Sequence, residues 1–473
     1  MKIISKSLII TLVCCLVCCL VCVGCEKESE KELGTEEEIG TEEELGTEEE
    51  DISIKPPTYT LIPDAHGCLE LYGDSAASFK PGDVIYLRGT FKNIWINDLK
   101  GSVEKPIVIT NYPGEQVFIG NTAWNGGGDG QGIRMANCHY FILGGGDSAS
   151  DFVFNGSKSS GRSSYFNLEL CESTDHAEIR NITIKDGGTG IWAKTDPKPS
   201  DPDTWYPNTI MEDLYIHDVI ISGTANEGLY IGHTATWWNL TQNTSFYDSP
   251  SNFVPGDEYV QPIKWKNVKI SDCYLYDIGL DGIQTAAIDG LEICNNEVTN
   301  WAVMKNSSHN GGILIGGRTT NTDTHDNYVH DGWGEMCQFY GSGENNATHI
   351  IHNNLFHDNQ GDGLSLRGTD DAVVQITNNT IARCGDNLIR LNGSFGMRKA
   401  QIINTNALIE PRMNNSYFDD RAYIYIENDA SVKEGTGTQT NVKVRTVGEA
   451  KVNVDDFYKP VSGSPVGNAG FRK

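Results

Sequence analysis

Beyond residue 25 the chain has no CxxC pair: its seven remaining cysteines (68, 138, 171, 273, 294, 337 and 384) stand singly. That scatter excludes a disulfide framework or a cysteine zinc cluster and suits small buried apolar residues. Basic residues are scarce, 36 against 64 acids, for a net charge of -28. The fourteen acids and two lysines of 26–51 carry -12 of this, and two lysines precede them, which leaves -18 for residues 52–473. No basic footprint is present to neutralise phosphates, so nucleic acid is excluded as a partner. A helical period is missing throughout. Instead, fifty-one glycines with abundant Asn and Asp mark a turn-rich β protein.

The N-terminal stretch MKIISKSLIITLVCCLVCCLVCVGC places two lysines before an apolar run that ends at Cys25. A short basic region, an apolar core and small residues at the break read as a secretory leader. The break on a cysteine resembles the lipobox of bacterial lipoproteins, which implies lipidation of Cys25, although Cys22 stands where a branched apolar residue is usual. Three copies of a Gly-Thr-Glu-Glu-Glu unit follow, a self-repelling segment that predicts a disordered tether over 26–55. The resemblance implies an outer-membrane lipoprotein facing the cell exterior and held to the membrane by its lipid.

Internal repetition carries the fold. Apolar-x-apolar strands follow a glycine in GIWAK (from Gly190), GLYIG (Gly228), GIQTA (Gly282), GILIG (Gly312) and GLSLR (Gly363). Second strands precede them, among them MEDLYIHD, ISDCYLYD, THDNYVHD, IIHNNLFHD and QITNNTIAR. The late units recur every 24 to 27 residues, the length of one solenoid coil. Two columns result. Asn295-Asn296, Asp326-Asn327, Asn353-Asn354 and Asn378-Asn379 stack as an amide ladder, and His217, Tyr276, His330 and His357 each precede an aspartate. Within this repeat the histidine-rich HIIHNNLFHD reads as scaffold, and an HxxH on a strand lacks the helical HExxH of a zinc enzyme.

These residues resemble the right-handed parallel β-helix of the pectate-lyase-like superfamily, and secreted β-helix polysaccharide lyases in particular. FKPGDVIYLRGTF (from Phe79) and KPIVITNYPGEQVFI (from Lys105) look like the opening region of those lyases, and SGSPVGNAG (from Ser462) like a closing motif of secreted β-helices. The expected fold is all-β: a single-stranded right-handed parallel β-helix, a β-solenoid with inserted loops. It would comprise an N-terminal cap and first coils (56–125), the main helix (126–410) and a C-terminal β cap (411–473).

Chemistry is expected where insertions interrupt the coils. Thr195–Thr209 and His233–Pro262 leave one corner of neighbouring coils and predict an aromatic wall containing Trp205, Trp237 and Trp238. Such rings stack on sugars or pack the loop itself. Before the aligned strand stands an acid column of Glu227, Asp281, Glu335 and Asp362, in which Glu227 and Asp281 lie about 5 Å apart at the backbone. Paired carboxylates divide into acid and base, share a Ca²⁺, or simply cap a turn in which glycine supplies positive φ. His309, in a third insertion (Trp301–Asn310), is the best base. The candidate catalytic set is therefore Glu227, Asp281, His309 and Glu335. Tyr230, His233, Trp205, Trp237, Trp238, Arg318 and Arg367 are the substrate-binding candidates, and Glu227 with Asp281 the ligands if calcium is bound.

Polygalacturonase-like glycosidases carry an aspartate before a strand as Asp281-Gly-Ile does here, but their Arg-Ile-Lys segment is absent. Chondroitinase-B-like and alginate-lyase-like proteins use a Lys/Arg pair beside calcium, whereas Lys194 and Arg367 stand five coils apart, about 24 Å. The expectation is a monomer active on an acidic polysaccharide, a lyase or a glycoside hydrolase. The alternative is a glycan-binding or adhesion protein without catalysis.

Overall fold

The computed structural model describes residues 58–127, 130–158, 165–341, 346–414 and 418–472. The leader, the lipidation candidate Cys25 and the tether lie outside the described residues. Two parallel assemblies dominate, one of twelve strands and one of twenty-three. The twelve-stranded front sheet takes one strand from each coil, and its register runs Ile191, Leu229, Ile283, Ile313, Cys337, Leu364, Ile389. The larger sheet folds over the two remaining sides, so the chain is a parallel β-helix. Short β-branched strands with alternating burial produce it. In Ile288–Cys294, for example, Leu291 and Ile293 are buried while Glu292 points out. One core of inward side chains runs from Leu71 to Ala430.

The amide ladder is longer than the repeat suggested. Asn296, Asn327, Asn354, Asn379, Asn406 and Asn441 are buried, and each of the first five donates its Nδ2 to the Oδ1 of the next at 2.9–3.1 Å. That Oδ1 accepts the backbone N–H of the preceding ladder residue as well. Their neighbours Asn295, Asp326, Asn353 and Asn378 turn the chain with φ of 56°, 54°, 50° and 56°, which Asn and Asp tolerate best after glycine.

The glycine column has a different cause from the one expected. Gly190, Gly228, Gly282, Gly312 and Gly363 do not take positive φ. An added Cβ would instead stand 2.3, 2.7, 2.6, 2.7 and 2.6 Å from a carbonyl oxygen of the next coil. Close stacking of coils, not turn dihedrals, requires glycine here.

Parallel pairing continues past residue 410, where the sequence suggested a β cap. Ile424–Glu427, Val432–Glu434 and Val442–Val444 pair parallel with the coil before them. The chain then doubles back outside the helix. Ala450, Tyr458, Val466 and Phe471 cover the outward apolar column of Leu355, Ala382, Ala407 and Ile409. Arg472 N–H reaches Asn353 Oδ1 at 2.9 Å. Among the described residues no helix is long and apolar enough to cross a membrane.

Candidate functional site

The front-sheet register stacks Glu227, Asp281, Gly311, Glu335 and Asp362 at the start of successive strands. Glu227 and Asp281 are therefore adjacent, and Gly228 N–H donates to Asp281 O at 3.0 Å. The third insertion is anchored by Trp301, fully buried, whose Nε1 donates to Asn310 O at 3.0 Å. That anchor folds His309 over the acid pair. Its Nδ1 lies 3.6 Å from Glu227 Oε1 and 3.5 Å from Asp281 Oδ2, and the three groups offer donor atoms within 4.8 Å of one another.

Asp281 is fully buried and its two oxygens differ. Oδ1 accepts Gly311 N–H at 2.5 Å, while Oδ2 has no hydrogen bond, nor does His309 Nδ1. Burial raises Glu227 from its ordinary value, and Asp281 adds to that while His309 opposes it. Burial alone would lower His309, but Asp281 and Glu227 outweigh it and push the imidazole up to about 9. With its value raised by both acids, His309 is their charge partner in the ligand-free cluster.

Glu335 does not join this cluster. It sits two coils from Asp281, about 10 Å along the helix, because Gly311 intervenes. Its Oε2 pairs with Arg367 Nη2 at 3.0 Å, and Arg367 also lies 5.1 Å from the Tyr340 ring, so each group meets the other instead of open cleft. Asp362 Oδ1 accepts Asn387 N–H and Nδ2 at 2.9 and 2.8 Å, the turn-capping role.

Across the same sheet, Lys194 is buried with its Nζ 4.1 Å from the Trp192 ring and 4.9 Å from that of Tyr230. Asp196 Oδ1 stands 3.7 Å from Lys194 Nζ and 3.1 Å from His233 Nε2. Burial works to raise Asp196, but Lys194 and His233 hold it well below the usual carboxylate range. His233 corrects an expectation. It is 1% exposed, its Nδ1 accepts Ala235 N–H, and burial and Lys194 lower it to about 4. It is a neutral strut for Asp196 and not a surface group for substrate.

The first two insertions do join into one antiparallel sheet, ordered Trp205–Tyr206, Tyr259–Pro262, Trp237–Asn239, Thr244–Phe246. Most of its aromatics pack one another. Phe253 stacks on Tyr259 at 3.8 Å and meets the half-buried Trp237 edge-on at 5.2 Å. Trp238 is 2% exposed against His233, which removes it from substrate contact. Arg318 is likewise buried and donates to Pro262 O at 2.9 Å, pinning the insertion's end. Tyr230 is buried with its hydroxyl 2.7 Å from Thr234 Oγ1, while Trp205 stays half-buried on the loop sheet. Alternation along GIQTA also turns Gln284 outward, a residue passed over in the repeat. Its buried Oε1 has no hydrogen bond and faces the same side as Tyr230.

Calcium does not fit the acid pair. It takes 6–8 oxygens, and here one Asp281 oxygen is held by Gly311 N–H while a histidine nitrogen completes the group. His349 and His352 cannot share an ion either: His349 faces the core, bonded to Thr322 Oγ1 at 2.9 Å, and His352 faces out. His217, His330 and His357 each pair with the following aspartate at 2.6–2.8 Å, as scaffold.

A family model for the right handed beta helix region matches residues 259–430, in agreement with the expected handedness. No curated protein sequence matches. Among solved structures the chain is similar to a GH136 lacto-N-biosidase from Eubacterium ramulus, at 13% identity over 82% of this chain and 68% of that one, TM-score 0.49. It is similar to the periplasmic alginate epimerase AlgG at 10% identity over 83% and 85%, TM-score 0.43. Pectate lyase Pel9A follows at 12% over 89% and 93%, TM-score 0.41. Shared coils of this kind do not fix a reaction.

Proposed function

We propose that the chain is an extracellular, lipid-anchored monomer facing the cell exterior that hydrolyses glycosidic bonds over its front sheet. The observation that supports this most is the meeting of Glu227, Asp281 and His309 from three separate coils, with Asp281 Oδ2 buried and without a hydrogen bond. Two carboxyl groups with oxygens inside 4.8 Å suit the closer, retaining geometry of about 5–5.5 Å rather than the wider inverting one. Asp281 Oδ2, 3.5 Å from His309 Nδ1, is the nucleophilic oxygen, since Oδ1 is held by Gly311. Glu227, raised by burial, gives its proton to the departing sugar oxygen as the Asp281–sugar bond forms. It then takes a proton from the water that cleaves that bond. His309 lies over both acids, so substrate has to displace its ring.

The local charge balance favours a neutral sugar over the uronate expected from the sequence. A uronate there would meet the carboxyl groups of Glu227 and Asp281, and the nearby Lys194 is already paired with Asp196. Glycan binding without cleavage is the second reading, favoured by the depth at which Asp281 is covered. Incubation of the full chain with neutral and uronic polysaccharides separates these readings. New reducing ends without ultraviolet-absorbing unsaturated products support hydrolysis, and unsaturated products support a lyase. Binding with no cleavage across the panel removes the enzyme reading.

A further inference from the structure

On a different side of the helix, well apart from the front sheet, a thiol, an imidazole and a carboxylate converge. In the strand Ile288–Cys294, Glu292 and Cys294 alternate with the core residues Leu291 and Ile293, Glu292 half-buried and Cys294 2% exposed. Parallel register sets His325 of the next coil directly beside Cys294. Cys294 Sγ lies 3.3 Å from Glu292 Oε1, and His325 Nε2 lies 3.5 Å from that same oxygen. All three groups offer one donor atom within 4.8 Å of the others.

A further carboxylate stands behind the histidine. His325 Nδ1 is 2.7 Å from Asp326 Oδ2, an acceptor that would hold an Nδ1–H tautomer and leave Nε2, on the side of Glu292 and Cys294, for an ion. A carboxylate behind a ligating histidine fixes its tautomer and orientation in metal sites. Histidine–aspartate pairs at 217/218 and 330/331 share this arrangement, with Glu178 and Glu297 from the preceding coil. Among the described residues no thiol joins them. At His325 one does, which converts a scaffold contact into a sulfur–nitrogen–oxygen donor set. Without an ion, Glu292 is held by Lys269 Nζ at 3.0 Å and by the Cys294 S–H.

We propose that Glu292, Cys294 and His325 form a binding site for a divalent transition-metal ion of the zinc type, separate from the front-sheet site. Thiolate, imidazole and a single carboxylate suit zinc and exclude calcium or magnesium, and the fourth position is left to water. Binding replaces the Cys294 S–H with a metal–sulfur bond and releases that proton to solvent. The site lies on the outer face of a packed sheet, so the ion cross-links two coils.

Cobalt(II) titration of the chelator-treated full chain tests this, with thiolate-to-cobalt charge-transfer absorption as the readout and zinc affinity by calorimetry beside it. One equivalent with the charge-transfer band is expected. C294S should lose the band, and both C294S and H325A should weaken zinc binding at least tenfold. H309Q, in the front-sheet cluster, should leave both unchanged. Melting of the metal-free C294S chain at the wild-type temperature certifies that its fold is intact. Absence of the band, or unaltered affinity in C294S, overturns the proposal; so does loss of binding in H309Q with retention in C294S.

Discussion

Two oxygens of one carboxylate set the behaviour of the front-sheet cluster. Asp281→Asn keeps an acceptor for Gly311 N–H while removing the nucleophilic charge, so the coil should stay intact while turnover falls at least about 10²-fold. A reducing-end assay with a melting curve checks both halves, and full activity in this variant removes Asp281 from the site. His309 supplies a second test. Its folded value of about 9 lies above the ordinary 6.5, so the stability it contributes is fully present below 6.5 and is lost as pH rises through about 9. His309→Gln should therefore melt below wild type near neutrality, and the gap should close between pH 6.5 and 9. A gap that is constant with pH would show that His309 is not held charged by Glu227 and Asp281.

At the scale of the strand and turn, the amide ladder and the glycine column dominate. Asn354→Ala strips the acceptor from the buried backbone N–H of Asn327, while Asn327 Nδ2 loses one partner and keeps Ile293 O and His325 O. The cost is about 1–3 kcal/mol for the N–H left unpaired, measured by urea unfolding. Gly282→Ala drives a Cβ to 2.6 Å from both Gly312 O and Val298 Cγ1, and a loss of about 1–3 kcal/mol is expected from the same measurement. Four of the six ladder rungs are legible in the sequence. Asn-Asn doublets, with Asp326-Asn327 among them, mark the rungs through Asn379, but Asn406 and Asn441 stand alone after Thr405 and Thr440, without a doublet to mark them. The glycine column was visible too, although its cause was not, because close approach between coils leaves no local dihedral signature.

The whole molecule is a stack in which each coil shields the next, so its ends and its outward apolar columns need cover. Residues 447–472 provide that for Leu355, Ala382, Ala407 and Ile409. Truncation before Val447 should expose this column and give dye binding and self-association in light scattering, while the parallel strands persist in circular dichroism. A truncated chain that stays monodisperse and binds no dye would show that the column needs no cover.

Repeat length, alternating burial and turn chemistry are local properties, and they determined the β-helix from the sequence by itself. The same locality put Glu227 and Asp281 on neighbouring coils, since one register error would turn every side chain to the wrong face. The tertiary structure decided the rest, because it depends on where insertions land. It brought His309 onto the acid pair, shared Glu335 with Arg367, and buried His233, Trp238 and Arg318 beneath the loop sheet. It also set Cys294 beside His325 across 31 residues of chain. A periodic chain announces its coil in any window of one repeat; its cross-coil clusters exist only once the coils are stacked.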